Sequence, residues 1–532
     1  MDENDLQLGR VVCVSGSHVV MVWEQQTADE DAAGDPDRLQ KGALVKLKTP
    51  ATVVFALVTS LTIPNPARSV DPGEAWLAEL ELIGESDREG GLFRHGVSCF
   101  PTLGDAVWSA NEADLSQIYG CPSSSAITLG TLHNDRGSAM FVEPDLLLGR
   151  HFAILGTTGC GKSCALTLIL RALLDKHDDA HIVLLDPHNE YKTAFGEHAE
   201  LLGPDRLRLP YWLLNSDEID MVMFGTGNTV PDRSIISEIL HELIAEAKHL
   251  YQGDRLNGQP VTVNTPIPYR LSDIIQLVGD VMGKLDKPSS LVPYKWLKNR
   301  LNSLSSDPRF AFMFGGITVN DNFTDILSQI LRIPGNGKPI SIVDLSSVPS
   351  EVINAVVSVL LRLTFDFSLW SRGAQPILLV CEEAHRYAPL DDSLGFEPTK
   401  NALARIAKEG RKYGLSLCLV SQRPSELATS VLSQCNTSFV FRITSLRDQE
   451  IIQGTVADSS SGLLDFLPLL GNGEAVVIGD AVSMPVRIQF DRLDEVQRPQ
   501  SMTARFSEVW RATPVDKTFV REVVERWRTH QR

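Results

Sequence analysis

Residues Gly156 to Ser163 read GTTGCGKS, directly after the apolar run Phe152-Ala153-Ile154-Leu155 and directly before the helix-like stretch Cys164 to Leu174. Strand, glycine loop and helix in that order are what a phosphate-binding P-loop requires, so the chemistry implied is that of a nucleoside triphosphate. Gly156 and Gly161 permit backbone shapes closed to residues with a Cβ. The N–H groups of Thr157, Thr158, Gly159, Cys160 and Gly161 can then wrap a polyphosphate at the positive end of the helix that Cys164 continues. Lys162 would stand against the β- and γ-phosphates of ATP, and the Ser163 hydroxyl would ligate Mg2+.

A loop that holds phosphates needs acids to complete a reaction. Ile377 to Cys381 forms the apolar run ILLVC and ends in Glu382-Glu383-Ala384-His385, the pattern of a buried parallel strand with chemistry at its carboxyl end. Glu382 is assigned to the magnesium shell, through water, and Glu383 to polarising the attacking water. Glutamate stands at 382 where aspartate is usual. Two further strand ends carry polar residues: Ile182 to Leu185 runs into DPHNEY, and Leu415 to Val420 runs into Ser421-Gln422-Arg423-Pro424. Strand ends of an open α/β sheet converge on one crevice, which makes Asp186 a candidate for the metal shell and Gln422 a candidate sensor of the γ-phosphate.

The elements that must carry these residues are legible in outline. The chain has 532 residues, 43% of them apolar, enough for about three domains. Short alternating segments at Gly9 to Val14, Val19 to Trp23, Leu44 to Leu47, Val53 to Leu57 and Ala78 to Ile83 have the signature of a small antiparallel barrel over residues 1–105. The acidic stretch Thr27 to Arg38 reads as a solvated connection within it, and Ile127 to Asp145 as a strand-rich linker to the P-loop strand. Residues 106–532 then form an α/β unit. Helical periodicity at Ser234 to Leu250, Leu271 to Leu285, Trp296 to Leu304 and Phe323 to Leu331 marks a helical insertion at about 215–335. The sheet resumes at Ile340 to Val343, late strands follow at Phe439 to Ile443 and Glu474 to Ile478, and the amphipathic helix Phe519 to Trp527 ends a segment from about 490 to 532.

The formal net charge of −18 argues against a surface coated for nucleic acid, although a basic lining inside a ring is compatible with it. Eight scattered cysteines form no CxxC pair and no zinc-spaced cluster, the usage of a reducing cytoplasm. The start, MDENDLQLGR, is acidic rather than a basic leader, and no apolar stretch reaches the roughly 18 residues a membrane span needs.

Taken together, LLLGRHFAILGTTGCGKS (Leu146 to Ser163), LLDPHNEY, LRLPYWLLN (Leu207 to Asn215), VCEEAHRYAP and KEGRKYGLSLCLVSQRPSEL (Lys408 to Leu427) resemble the HerA branch of the HerA/FtsK ATPases. FRHGVSCFPTLGDAVWSA (Phe93 to Ala110) is similar to the end of that family's N-terminal barrel, the HAS-barrel. The resemblance implies a RecA-like P-loop ATPase core with a helical insertion behind a small β-barrel, a bracing C-terminal segment, and a homohexameric ring that translocates double-stranded DNA through its central pore. Many members act with a separate nuclease such as NurA, and relatives are paired with other effectors in anti-phage systems. The chain itself has no nuclease signature, so a partner effector docked on the barrel face is expected.

The resemblance also implies a cation supplied by the neighbouring subunit. Arg405, Lys408, Arg411 and Lys412 lie where the family places such residues; Arg411 is the first choice, and Arg150 is a second nucleotide-contacting candidate. Two other classes compete. A superfamily 2 helicase, suggested by the likeness of EEAH to a DEAH box, would need two tandem motor cores. A ring-shaped scaffold that regulates a bound effector would share every motif named here.

Overall fold

The computed structural model describes residues 6–529 apart from 24–38, 64–75, 89–90, 92, 134–136, 204–205, 208, 226–229, 231, 253–259, 285–286, 315–318, 347, 349, 392–396, 456–460, 501–506, 508–509 and 511–515. The acidic stretch Thr27 to Arg38 therefore lies outside the described residues. Apolar and polar residues alternate along β1 (Gln7–Ser15), β2 (His18–Trp23), β3 (Leu44–Lys48), β4 (Thr52–Thr62) and β5 (Trp76–Asp87), followed by the short β6 (Arg94–His95) and β7 (Ala106–Ser109). The antiparallel order β2-β1-β7-β3-β4-β5 closes on itself through a β2–β5 pairing, and β6 pairs only with β5. Closure buries Val19, Met21, Val45, Leu47, Val54 and Leu80 inside a six-stranded barrel. The strand β7 is too short to announce itself in the sequence, and it lies past residue 105.

Helix α1 (Glu112–Tyr119) leaves the barrel through a capping box in which Asn111 and Asp114 satisfy each other's backbone. The Lys46 ammonium binds Asp114 at 2.6 Å, which ties the barrel to this helix. The linker then supplies β8 (Ile127–Leu132), β9 (Ala139–Val142) and α2 (Pro144–Gly149). These two strands are no mere linker, because they form the outer edge of the large sheet.

That sheet has eleven strands in the order β12-β13-β11-β14-β15-β10-β16-β17-β18-β8-β9. Its members are β10 (Phe152–Leu155), β11 (Ile182–Asp186), β12 (Ala199–Leu202), β13 (Ile340–Asp344), β14 (Ile377–Cys381), β15 (Leu415–Ser421), β16 (Thr437–Val440), β17 (Glu474–Gly479) and β18 (Val486–Phe490), with β8 and β9. The first seven in spatial order run parallel; from β16 onward every pairing is antiparallel. Every residue of β10, β11, β13, β14, β15 and β16 is buried, as a parallel sheet covered on both faces demands. Helix α3 (Lys162–Lys176) leaves β10 through the glycine loop.

The stretch after β12 is helical: α4 (Ser216–Phe224), α5 (Arg233–Gln252), α6 (Leu271–Lys284), α7 (Val292–Ser306), α8 (Ala311–Phe314) and α9 (Phe323–Leu331). It packs on α10 (Ser350–Trp370), which crosses from β13 to β14, while α11 (Glu397–Glu409) crosses from β14 to β15. One anchor is electrostatic. Glu218 caps the start of α4 and takes two bonds from Arg362 of α10, Nε to Oε1 at 3.0 Å and an Nη to Oε2 at 2.8 Å, while Ser358 donates to Oε1 at 3.0 Å.

The expectation that no apolar stretch reaches membrane length fails at α10. Its segment Val352–Trp370 has 19 residues and is long and apolar enough to cross a bilayer. Some 78% of it is buried inside the fold. Its apolar surface is therefore covered by the protein's own core, where helices of this kind also occur.

Arg362→Met leaves the Glu218 carboxylate buried without its cation, which should cost about 3–5 kcal/mol of stability. Urea unfolding should show that loss, and the double change Arg362→Met with Glu218→Gln should recover part of it.

Candidate active site

The P-loop is shaped by close approach. Gly156 has φ of +154° and Gly161 has φ of +115°. A Cβ on Gly156 would stand 2.6 Å from the Phe441 Cβ, and one on Gly161 would stand 3.3 Å from Gly473. The loop is held from below by β16's continuation: both the N–H and the hydroxyl of Thr157 donate to the Arg442 carbonyl at 3.0 Å. At its tip the Thr158 hydroxyl donates to the Gln422 side-chain oxygen. The Lys162 ammonium folds back onto the Thr157 carbonyl at 2.9 Å.

Glu382 and Glu383 follow β14 at the same edge of the sheet, both under a tenth exposed. Their settings differ. Glu382 accepts the Tyr191 hydroxyl, and burial, with the like charge of Glu383 adding, pushes its carboxyl up to about 8 against the opposing pull of Tyr191 and Lys162. Glu383 is a non-glycine residue in the left-handed region, φ +52°. Burial raises its carboxyl too, opposed chiefly by Lys162. The Glu383 Oε2 is buried and accepts no hydrogen bond. The His385 Nδ1 stands 3.3 Å from it without the geometry of a bond, and lies 3.2 Å from the Ser421 hydroxyl. Burial pushes His385 down to about 4, so this neighbour is a neutral ring and no charged pair forms.

Asp186 departs from its expected place. Both of its oxygens are taken by the following turn, which donates from the His188 N–H and the Tyr191 N–H at 3.1 Å each, and it is 1% exposed. The acid that meets the P-loop serine is instead Glu190, whose Oε2 accepts the Ser163 hydroxyl at 3.0 Å. Position in DPHNEY was the only available signal for Glu190. Asp186 shapes the turn that delivers it. The Asn189 side-chain oxygen, buried on the same turn, has no partner among the described residues.

The basic candidates do not join this cluster. Arg150 precedes β10, at the end of the strand opposite the P-loop, so about 13 Å of strand separates it from its own loop. Its guanidinium binds Asp480. It is thus no ligand of its own subunit's nucleotide. Arg411 lies in the turn Gly410–Tyr413 before β15, at that same amino edge, exposed and without an ion pair among the described residues. His151, 2% exposed and at φ +56°, joins the two: its Nδ1 accepts the Leu417 N–H at 3.0 Å and its Nε2 donates to the Ala407 carbonyl at 3.1 Å. Arg405 stacks its guanidinium on Phe365, 4.3 Å from the ring centre.

The positive-φ glycine loop at the start of α3, a lysine parked on a carbonyl, and unmet buried oxygens on Glu383 and Asn189 fit a magnesium nucleotide. Residues 127–364 match the family described as helicase HerA, central domain. The DNA double-strand break repair helicase HerA of Pyrococcus furiosus is 25% identical over 440 residues, covering 74% of each chain. A probable DNA double-strand break repair helicase HerA of Methanocaldococcus jannaschii is 26% identical over 452 residues, covering 80% of this chain and 86% of that one. Among solved structures, VirB4 of Thermoanaerobacter pseudethanolicus gives a TM-score of 0.49 at 15% identity, over 71% of this chain and all of that one. Fold and site define a P-loop ATPase that works on ATP with Mg2+. The chain is similar to the HerA branch of the HerA/FtsK ATPases, and is an ATP hydrolase of the translocase and helicase class.

Proposed function

We propose that this chain is the subunit of an ATP-driven homohexameric ring that translocates double-stranded DNA through its central pore, with a separate nuclease or other effector docked on the barrel face. The observation that carries the reading is a divided site. Lys162, Ser163, Glu382, Glu383 and Gln422 gather at the carboxyl edge of the sheet, whereas Arg150 and Arg411 stand at the amino edge. A cation that cannot reach its own nucleotide can serve a neighbour's, as an arginine finger does. Arg411, exposed, is the proposed in-trans cation; Arg150 lies beside it on the same edge.

When bound, magnesium ATP supplies the transferable phosphoryl group and a divalent charge beside it. Within the chain, Lys162 would leave the Thr157 carbonyl to neutralise β/γ charge, and Ser163 would offer its oxygen to the metal while its hydroxyl hydrogen stays bonded to Glu190. Glu382, oriented by Tyr191, would hold the outer metal shell. Glu383, with one oxygen unbonded, holds and polarises a water. Gln422 reports on the loop through Thr158. The backbone of Thr157 to Gly161 and of Cys164 cradles the phosphates, and Asp186 supports the metal side only through the turn it shapes.

The DNA substrate is supported by likeness to proteins named as double-strand break repair helicases. A single P-loop sheet with one Glu-Glu strand end speaks against a two-core superfamily 2 helicase. The exposed stripe of Phe519, Val520, Val523 and Trp527 on the helix Lys517–Thr529 suits a segment that braces a second copy. Eight free cysteines suit a cytoplasmic protein working away from the membrane.

Lys162→Ala should abolish turnover. Glu383→Gln should bind ATP as the parent does and hydrolyse it at least about 100-fold more slowly; if Glu382→Gln alone has that effect, the two acids exchange roles. Arg411→Ala should keep the hexamer by native mass spectrometry yet lose turnover, and mixing it with Lys162→Ala subunits should restore part of the activity. Restoration that fails in mixed rings, or an active monomer, removes the in-trans reading. Duplex DNA should stimulate turnover, with binding that weakens linearly in log–log plots against salt. Turnover indifferent to duplex of any length, with no displacement of a triplex strand, would instead indicate the scaffold.

A further inference from the structure

His151 stands at the root of β10, 2% exposed and with its backbone in the left-handed region. That backbone ends the extended chain: the first β10 residue paired with β15 is Phe152, opposite Cys418. One residue earlier on β15, the Leu417 N–H donates to the His151 Nδ1 at 3.0 Å. The ring therefore takes over where the backbone ladder stops. An Nδ1 that accepts leaves the proton of a neutral ring on Nε2, and that nitrogen donates to the Ala407 carbonyl at 3.1 Å. Ala407 lies in the last turn of α11, where the final four carbonyls have no donor within the helix.

The turn Gly410–Tyr413 follows α11 directly. Its far side is anchored twice. The Tyr413 ring meets Phe365 of α10 edge-on, 6.0 Å between centres, and the Gly414 carbonyl accepts the Ile377 N–H at 2.9 Å. Its near side hangs on the end of α11, which the His151 ring ties to the P-loop strand. Gly410 leaves little slack between the two, since a Cβ there would stand 2.9 Å from the Leu415 carbonyl oxygen. Arg411 is exposed between these anchors. The P-loop lies beyond the four residues of β10, and its own bonds run to Arg442, Gln422 and Gly473 rather than to the ring.

We propose that His151 is a positioning residue for the cation that one subunit gives to the next. Through Ala407 it sets the place of the turn that presents Arg411, so its loss is felt in the neighbouring subunit's ATP site and not in its own. The proposal rests on the reading of Arg411 as the in-trans cation.

Two replacements in the full-length protein separate the ring's bonds. His151→Asn keeps an acceptor in the place of Nδ1 and tolerates the left-handed backbone, but falls short of Ala407. His151→Gln carries a donor as far as the place of Nε2. His151→Asn should form hexamers and bind ATP with the parent's affinity while kcat falls about tenfold or more, the scale on which a misplaced group acts. His151→Gln should recover most of that loss. Mixed rings of co-expressed subunits give the readout that a merely structural role would not move. His151→Asn with Lys162→Ala should regain turnover, because the second subunit gives a well-placed Arg411 to the intact P-loop of the first. His151→Asn with Arg411→Ala should regain none, because neither subunit presents a placed cation. The reverse pattern puts His151 in its own subunit's site and overturns the proposal. So does parent-level turnover in His151→Asn, a loss that neither mixture relieves, or a His151→Asn chain that no longer assembles. The mixture of Arg411→Ala with Lys162→Ala tests the parent reading by itself. If that mixture stays inactive the in-trans cation is refuted, whereas restoration there with the reverse pattern for His151 refutes only the positioning role.

Discussion

Parallel pairing of β14, β15, β10 and β16 in one register is the constraint from which the rest follows. Leu155 lies opposite Ser421 on one side and Val440 on the other, and Cys381 lies opposite Leu419. Helices cover both faces, so these four strands carry no charged side chain along their length and the charged chemistry emerges at their ends. The carboxyl ends are level. The glycine loop, Glu382, Gln422 and Arg442 therefore leave the sheet along one line, and a loop that would otherwise be a flexible turn is braced by its neighbours' backbones.

That bracing explains why the acids can be kept in states free water would not allow. Glu383 occupies a left-handed backbone that costs about 1–2 kcal/mol for a residue with a Cβ, and its free oxygen is buried without a donor. Neither feature stabilises the fold. Both are the kind of local strain that persists when surrounding structure over-determines a position. Here β14 fixes the chain before Glu383, and the turn Ala384–Arg386 fixes it after.

The sheet and the loop were legible because their signals are local: apolar runs ending in glycine or acid, and a motif of eight residues. The short strands β7 and β18 carried too few residues to signal, and β8 and β9 read as a linker because only long-range pairing with β18 makes them part of the sheet. Asp186 and Glu190 show the limit of strand-end reasoning. It located the right hexapeptide, yet the first acid turned inward to satisfy backbone N–H groups, and the one four residues later reached Ser163. Arg150 stands apart from its own loop for a similar reason. Nearness in sequence to the P-loop strand is not nearness to the P-loop when the whole strand lies between. The apolar helix α10 shows the converse, since composition alone cannot tell a buried crossover from a span.

His151 supplies the remaining link between the two edges. Burial pushes its ring below the usual imidazole range, one nitrogen accepts from β15 and the other donates to the end of α11, so the start of β10 is locked to the element that presents Arg411. On the proposed reading, β10 then carries both halves of the machine at its two ends, the P-loop at one and the cation-bearing edge at the other. A surface that gives at one edge and receives at the opposite edge is heterologous, and such contacts either run on as a filament or close as a ring. A strand fixed at both ends sets the angle at which each copy meets the next, and that angle decides between the two. On that reading the same strand offers a route for nucleotide state to travel, since a shift of the loop on phosphate binding would be felt at Arg150, His151 and the turn holding Arg411.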